Sequence, residues 1–252
     1  GEGFAQRVRD RKDASIAKRA LLRSLRKPID GFVSRHLNRY VSLTVTRQLV
    51  KLGLRPNVFT VVFLFIGLAA AGFVSQVESV WALIISGLLF QAQSILDGCD
   101  GEMARLTFRY SKVGEWLDTV GDDITNYAYC FGLAWGLSRF YAAPWILWVG
   151  LGVLALQVIA SGIMYRRMIQ WGTGDLLAIP KADGGTDSES ALARFFYTIG
   201  KRDFFVFAIA LITAAQLPSL AFVVFAVGTA VVFITVVIND RAIAKLTPPV
   251  RS

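Results

Sequence analysis

The sequence predicts an all-α integral membrane protein, with six transmembrane helices preceded by a cytoplasmic amphipathic helix in the membrane interface. Three observations predict it. Hydrophobic residues make up 54% of the 252 positions and charged ones only 18%, with a mean hydropathy of +0.51. The apolar residues gather in long uncharged runs: Asn57–Val77, Ser79–Leu96, Ile124–Ser138, Phe140–Tyr165 and Phe204–Asn239. Several reach the roughly 20 residues needed to cross about 30 Å of hydrocarbon. The basic residues, finally, crowd into alternate connections between the runs, as the positive-inside rule requires. The runs lack the strict alternation of barrel strands, and so apolar a chain is not disordered. Two cysteines, Cys99 and Cys130, are too few for a disulfide framework and leave the redox compartment open.

In chain order, residues 1–26 read as a basic linker or arm with little periodicity. Residues 1–56 carry 14 Lys and Arg against four acids. Ahead of a membrane span, such an arm suits an anionic membrane surface better than a nucleic acid. The chain opens on Gly rather than Met and has no apolar leader segment, which predicts no signal peptide and a start inside a longer protein. Over residues 27–55, Ile29, Phe32, Val33, Leu37, Tyr40, Val41 and Val45 recur at helical spacing, with Arg35, Arg39 and Arg47 between or just beyond them. This is the pattern of an amphipathic juxtamembrane helix. His36, the single histidine, reads as interfacial rather than catalytic.

Residues 56–245 form the predicted six-helix domain. Pro56 suits the first turn of span 1. Span 2 covers about 79–98 and continues into Asp97–Thr107. The uncharged part of span 3, Ile124–Ser138, is only 15 residues long, too short to cross at 1.5 Å per residue. Its helix must therefore extend backwards through Asp123, Asp122 and Asp118, carrying carboxylates to the membrane boundary. Span 4 covers about 143–166. Pro218 divides the last run into spans of about 200–217 and 219–239, and residues 246–252 form a tail. Six spans put both termini on one side, and 26 of the 27 basic residues fall there with only Arg139 opposite. The expectation is a multi-pass protein of the inner (cytoplasmic) membrane with cytoplasmic termini. Residues 172–190 read as a polar cytoplasmic loop, and Trp145, Trp148 and Trp171 as an aromatic belt. No internal repeat is present.

Seven acidic residues lie between Asp97 and Asp123, and ionisable groups at the membrane boundary are functional by default. Asp97 and Asp100 are three apart and Asp118 and Asp122 four apart, so each pair shares a helix face. Two antiparallel helices facing each other would bring all four together, and four carboxylates side by side need cations. Hard oxygen donors without a His or Cys ligand pattern point to Mg²⁺, Mn²⁺ or Ca²⁺ rather than zinc. Gly98, Gly101, Ala104 and Gly114 leave room beside them. One carboxylate alone would read equally well as a helix cap, and Asp118 with Arg105 as a structural ion pair. Four at this spacing do not. Transport, the other use of intramembrane carboxylates, predicts midplane charges and an internal repeat, and neither occurs.

The segment Asp97–Arg105, followed after eight residues by Gly114–Asp122, fits D-x2-D-G-x2-A-R-x8-G-x3-D-x3-D at all eight fixed positions. It resembles the CDP-alcohol phosphotransferase family of integral membrane enzymes, over about residues 28–245. The resemblance implies that an acceptor hydroxyl attacks the β-phosphorus of a CDP-linked alcohol and releases CMP. It also implies two divalent cations, Mg²⁺ before Mn²⁺, and a homodimer. Carried over by motif position, Asp97, Asp100, Asp118 and Asp122 are metal ligands, with Asp122 also the general base. Asp100, Gly101, Ala104, Arg105 and Gly114 form the nucleotide side. One position departs: relatives often carry Arg after the fourth Asp, where this chain has Asp123.

Residues 27–39 resemble the start of the transferase domain in di-myo-inositol-phosphate phosphate synthases. There, a soluble cytidylyltransferase that makes CDP-inositol often precedes it, which fits the charged leader. The implied donor is CDP-inositol and the implied acceptor inositol phosphate. The alternative is a phospholipid synthase using CDP-diacylglycerol with inositol phosphate or another polar alcohol. An acceptor phosphate needs cations nearby, and Arg166, Arg167, Lys201 and Arg202, with Lys112, are the candidates. Basic residues at cytoplasmic helix ends are also ordinary membrane anchors.

Overall fold

The computed structural model describes residues 9–10, 13, 31–53, 55–109, 111–172 and 202–243. The basic arm beyond three of its residues, positions 27–30, most of the loop at 172–190, Lys201 and the tail lie outside them. Every regular element described is helical. A π-helical turn, Ser34–Asn38, runs straight into α1 (Arg39–Leu49), and a 3₁₀ turn, Val50–Leu52, ends at Gly53. Gly53 takes φ +66°, a left-handed conformation that costs glycine little. Six helices follow: α2 (Pro56–Val74), α3 (Val80–Thr107), α4 (Lys112–Phe140), α5 (Pro144–Trp171), α6 (Arg202–Ala214) and α7 (Pro218–Ile243).

Local sequence explains these boundaries. Proline opens α2, α5 and α7, where its fixed φ suits the first turn and its missing N–H is not needed. The hydroxyls of Ser79 and Ser111 accept the amides of Ala82 and Gly114, capping α3 and α4. As its short apolar stretch requires, α4 starts far upstream, so Asp118, Asp122 and Asp123 lie in its first turns. Among the described residues, four helices are long and apolar enough to cross a membrane: α2, α3, α5 and the Pro218–Arg241 part of α7. The acids of α4 keep it outside that set, and the 13 residues of α6 extend only about 20 Å at 1.5 Å per residue.

The bundle is organised around α2, which packs against both α3 and α4. At Gly132 of α4 a Cβ would collide with the Ala71 carbonyl of α2, and at Gly87 of α3 with the Ala210 carbonyl of α6. Small residues are what allow such close helix approach where lipid supplies no hydrophobic drive. In the interior, Tyr129 stacks on Phe90 at a centroid distance of 3.9 Å. Its hydroxyl lies 3.2 Å from both Ser86 and Thr213, joining α3, α4 and α6. The pairing of α3 with α4 differs from expectation. Their backbones do not run close together: each lies against α2, α6 lies against α3, and α5 lies against α4. The two meet through long side chains instead, as Phe90 and Tyr129 do in the interior and Gln93 and Asp122 do at their acidic ends.

The juxtamembrane segment turns a polar face inward. Asn38, Arg39, Ser42 and Thr46 are buried, whereas Phe32, Leu37, Tyr40 and Val41 are exposed. Arg39, expected among the surface arginines, instead meets Glu102 of α3, whose side chain is fully buried. Glu102 Oε1 accepts from Arg39 Nη1 at 2.6 Å and Ser42 Oγ at 2.7 Å, and Oε2 accepts from Thr46 Oγ1 at 2.7 Å. These three donors lie on one face of α1. Removing one partner of a buried ion pair costs about 3–5 kcal/mol, because the other charge is left uncompensated. Glu102→Ala should therefore sharply lower the thermal unfolding midpoint in detergent. Ser42→Ala, which loses one hydrogen bond worth about 1 kcal/mol, should lower it much less. Equal midpoints for the two variants would show that the carboxylate does not anchor α1.

Candidate active site

The end of α3 and the start of α4 lie at the same end of the bundle as α1. Asp97, Asp118 and Asp122 line one cavity there together with Gln93 and Gly121, and α2 contributes Thr60, Phe63 and Leu64. Asp100 sits just behind, where its Oδ2 accepts the Thr60 hydroxyl at 2.5 Å. The four carboxylates thus gather from two helices, as their spacing predicts, with α2 between them. Among the described residues no three Asp, Glu, His or Cys side chains stand in a closed ligating set. The positive charge comes from Arg202 at the start of α6. It donates Nη1 to Asp97 Oδ2 at 3.3 Å and Nη2 to Asp122 Oδ1. Gln93 Nε2 donates to the same Asp122 oxygen at 3.3 Å. Asp118 Oδ1 is buried with no hydrogen-bond partner among the described residues, which leaves a hard anionic donor facing its neighbours.

The small residues of the motif separate into two kinds. A Cβ at Gly101 or Gly121 would meet nothing within 4 Å, so open space adjoins the backbone there. At Gly114 a Cβ would come within 2.7 Å of Asn57 Oδ1 and 3.0 Å of Ser111 Oγ, so this glycine serves the contact of α4 with the start of α2. Ala104 and Arg105 are half-buried on α3, and Lys112 is exposed at the start of α4. His36 is exposed, with Nδ1 2.9 Å from the Phe32 carbonyl.

Two of the candidate phosphate ligands are engaged elsewhere. Arg166 Nη2 donates to Asp240 Oδ2 at 2.9 Å, and Arg167 Nε donates to Oδ1 at 2.5 Å. Both therefore join the end of α5 to α7, because the nearest carboxylate stands on α7. Asp123 also turns away: its Oδ2 accepts the Tyr165 hydroxyl at 2.5 Å, toward α5. The fifth carboxylate thus adds a hydroxyl contact there rather than another ligand to the cluster. Thr60 and Gln93 were not singled out by the sequence. For Gln93 a signal existed, since it lies four residues before Asp97, a polar side chain on the same face in an apolar run. Thr60 had none, because its relevance depends on how α2 docks.

Fold and site together define an all-helical integral membrane protein with an acidic cluster at one end of its bundle. Residues 53–238 match the family described as CDP-alcohol phosphatidyltransferase, and the chain belongs to that family. It is 30% identical over 220 residues to a bifunctional IPC transferase and DIPP synthase of Aquifex aeolicus, covering 86% of this chain. The chain spans only 46% of that relative's length. Among solved structures, the fold is similar to phosphatidylinositol phosphate synthase of Mycobacterium tuberculosis with CDP-DAG bound. The TM-score is 0.58 at 17% identity, covering 80% of this chain and 94% of that one. The same enzyme in complex with manganese and citrate gives 0.56 at 19% identity, over 81% and 89%.

Proposed function

We propose that the chain is a divalent-metal-dependent transferase. It moves a phospho-alcohol from a CDP-alcohol to an acceptor hydroxyl and releases CMP. The observation that carries this reading is the convergence of Asp97, Asp118 and Asp122 on one cavity, with Asp100 just behind it. In the reading, these four carboxylates hold two divalent cations, Mg²⁺ or Mn²⁺. When bound, the cations neutralise the diphosphate and favour departure of CMP. The orphaned Asp118 oxygen and the all-oxygen donor set fit hard cations, and a fold neighbour is crystallised with manganese. Asp122 accepts the proton of the attacking hydroxyl. A phosphorus–oxygen bond forms to the acceptor oxygen as the bond to CMP breaks. The open space at Gly101 admits the nucleotide, with Ala104, Arg105 and Gly114 on that side. With cations held by the carboxylates, the Arg202 guanidinium would be available to the acceptor phosphate, a charge-assisted contact. Lys112 and Lys201 remain further candidates for that contact, whereas Arg166 and Arg167 serve the α5–α7 junction.

The membrane arrangement follows from the same reading. Six spans, with α4 and the short α6 completing the four apolar helices, put both termini and the acidic rim on the cytoplasmic side of the inner membrane. The exposed apolar side chains of the juxtamembrane helix then face lipid. The donor is CDP-inositol and the acceptor inositol phosphate, because a relative that matches 86% of this chain is an IPC transferase and DIPP synthase. Its greater length fits a cytidylyltransferase fused upstream of residues 1–26, and the working unit is a homodimer. A second reading, a phospholipid synthase, draws on the neighbour that holds CDP-DAG. Purified protein offered inositol phosphate with either CDP-inositol or CDP-diacylglycerol, followed by CMP release, decides between them.

Three predictions follow the chemistry. EDTA should abolish CMP release and Mg²⁺ or Mn²⁺ should restore it. Asp97→Asn, Asp100→Asn and Asp118→Asn should each lose nearly all turnover. Activity that survives the chelator would remove the cations from the reaction. Asp122→Asn should lower kcat by about 10²–10⁴-fold, as general-base loss does, with little change in donor binding measured by titration. A parallel collapse of donor affinity would make Asp122 chiefly a ligand. Arg202→Ala should raise the acceptor KM about tenfold, a loss of about 1.4 kcal/mol, and leave the donor KM nearly unchanged. Arg166→Ala should shift neither constant. If both variants keep the wild-type acceptor KM, the phosphate is held elsewhere.

A further inference from the structure

Gln93 belongs to the cavity but lies outside the motif that runs from Asp97 to Asp122. It sits one turn before Asp97 on the same face of α3, and it is 2% exposed. A carboxylate oxygen only accepts hydrogen bonds, so the contact with Asp122 fixes the orientation of the Gln93 amide. Nε2 faces Asp122 Oδ1 at 3.3 Å, and Oε1 is directed elsewhere. That oxygen is buried and has no hydrogen-bond partner among the described residues. The carboxylates around it can offer no proton when ionised, the terminal nitrogens of Arg202 donate to Asp97 and Asp122, and neither they nor Arg202 Nε, itself buried without a partner among the described residues, reaches this oxygen. A buried amide carbonyl without a donor is costly and calls for an explanation. A ligand that carries hydroxyl groups into the cavity supplies one.

We propose that Gln93 positions Asp122 and binds the acceptor alcohol, its Nε2 steadying the carboxylate and its Oε1 accepting from a hydroxyl next to the attacking one. This assignment rests on the transferase reading above and narrows it. An acceptor with neighbouring hydroxyls, a polyol, can engage Asp122 and Gln93 together, whereas an alcohol with a single hydroxyl engages only Asp122. Both contacts come from one amide, so base orientation and acceptor choice are set by the same side chain.

The test uses the full chain in detergent with Mg²⁺, CDP-inositol and inositol phosphate, following CMP release. Gln93→Met keeps the length of the side chain and removes both polar atoms. It should lower kcat by about 10–100-fold, the range seen when a supporting hydrogen bond to a site ligand is lost, and raise the acceptor KM several-fold. The donor KM and the thermal unfolding midpoint should stay near wild type, a split that a merely structural residue would not give. Gln93→Glu keeps an accepting oxygen and loses the donor, so it should recover much of the acceptor KM while kcat stays low. A Gln93→Met variant with wild-type kcat and acceptor KM overturns this inference alone. So does one in which donor KM and midpoint shift as far as the acceptor KM. Wild-type protein that releases no CMP from CDP-inositol or CDP-diacylglycerol overturns the transferase reading, and this inference with it.

Discussion

The constraint on which the rest of the structure depends is electrostatic. Carboxylates placed at the ends of apolar helices, away from bulk water, must each find a positive charge or a set of donors. Asp97, Asp100, Glu102, Asp122 and Asp123, near the end of α3 and the start of α4, are answered from several directions, whereas Asp118 Oδ1 has no hydrogen-bond partner among the described residues. Thr60 on α2 reaches Asp100, Arg202 on α6 reaches Asp97 and Asp122, and Tyr165 on α5 reaches Asp123. The juxtamembrane segment provides three donors for Glu102. The helices converge at this end because the acids there demand partners that one or two helices cannot supply.

This explains why some features are legible in the sequence and others are not. The backward extension of α4 follows from length alone, since 15 uncharged residues cannot span hydrocarbon. The break before α7 follows from Pro218. That Asp97 and Asp100 share one helix face, and Asp118 and Asp122 another, follows from their spacing at three and four residues. Each of these is a local rule acting within one helix. What depends on the docking of one helix against another is not legible in the same way. That α4 leans on α2 is set by residues such as Gly132, which admits the Ala71 carbonyl. Arg166 and Arg167 looked suited to the acidic rim because both ends lie on one side of the bundle, yet the partner within reach is Asp240.

The amphipathic helix shows how composition reveals a pattern but not its direction. Its apolar residues recur at helical spacing, and in a water-soluble protein that stripe would face the core. Here the buried stripe is largely polar, with Asn38, Arg39, Ser42 and Thr46 inside beside Val33, and Phe32, Leu37, Tyr40 and Val41 outside. The inversion follows from what each side has to satisfy. On the protein side stands Glu102, a buried carboxylate that only donors can stabilise. The outer side carries the exposed apolar residues, which in the proposed arrangement face the membrane interface.

The start of α6 joins these two halves of the structure. Arg202 donates to Asp97 and Asp122, while the next residue, Asp203, accepts the Ser34 amide at 2.7 Å and fills the space where Gly31 lacks a Cβ. Two consecutive residues thus reach in opposite directions, one to the acidic rim and one to the beginning of the juxtamembrane segment. Glu102 makes a second tie, two residues beyond Asp100 on α3. The juxtamembrane segment is therefore fastened both to the helix that carries Asp97 and Asp100 and to the helix that carries their counter-charge. A displacement of that segment would move both together, and with them the two sides of the acidic rim.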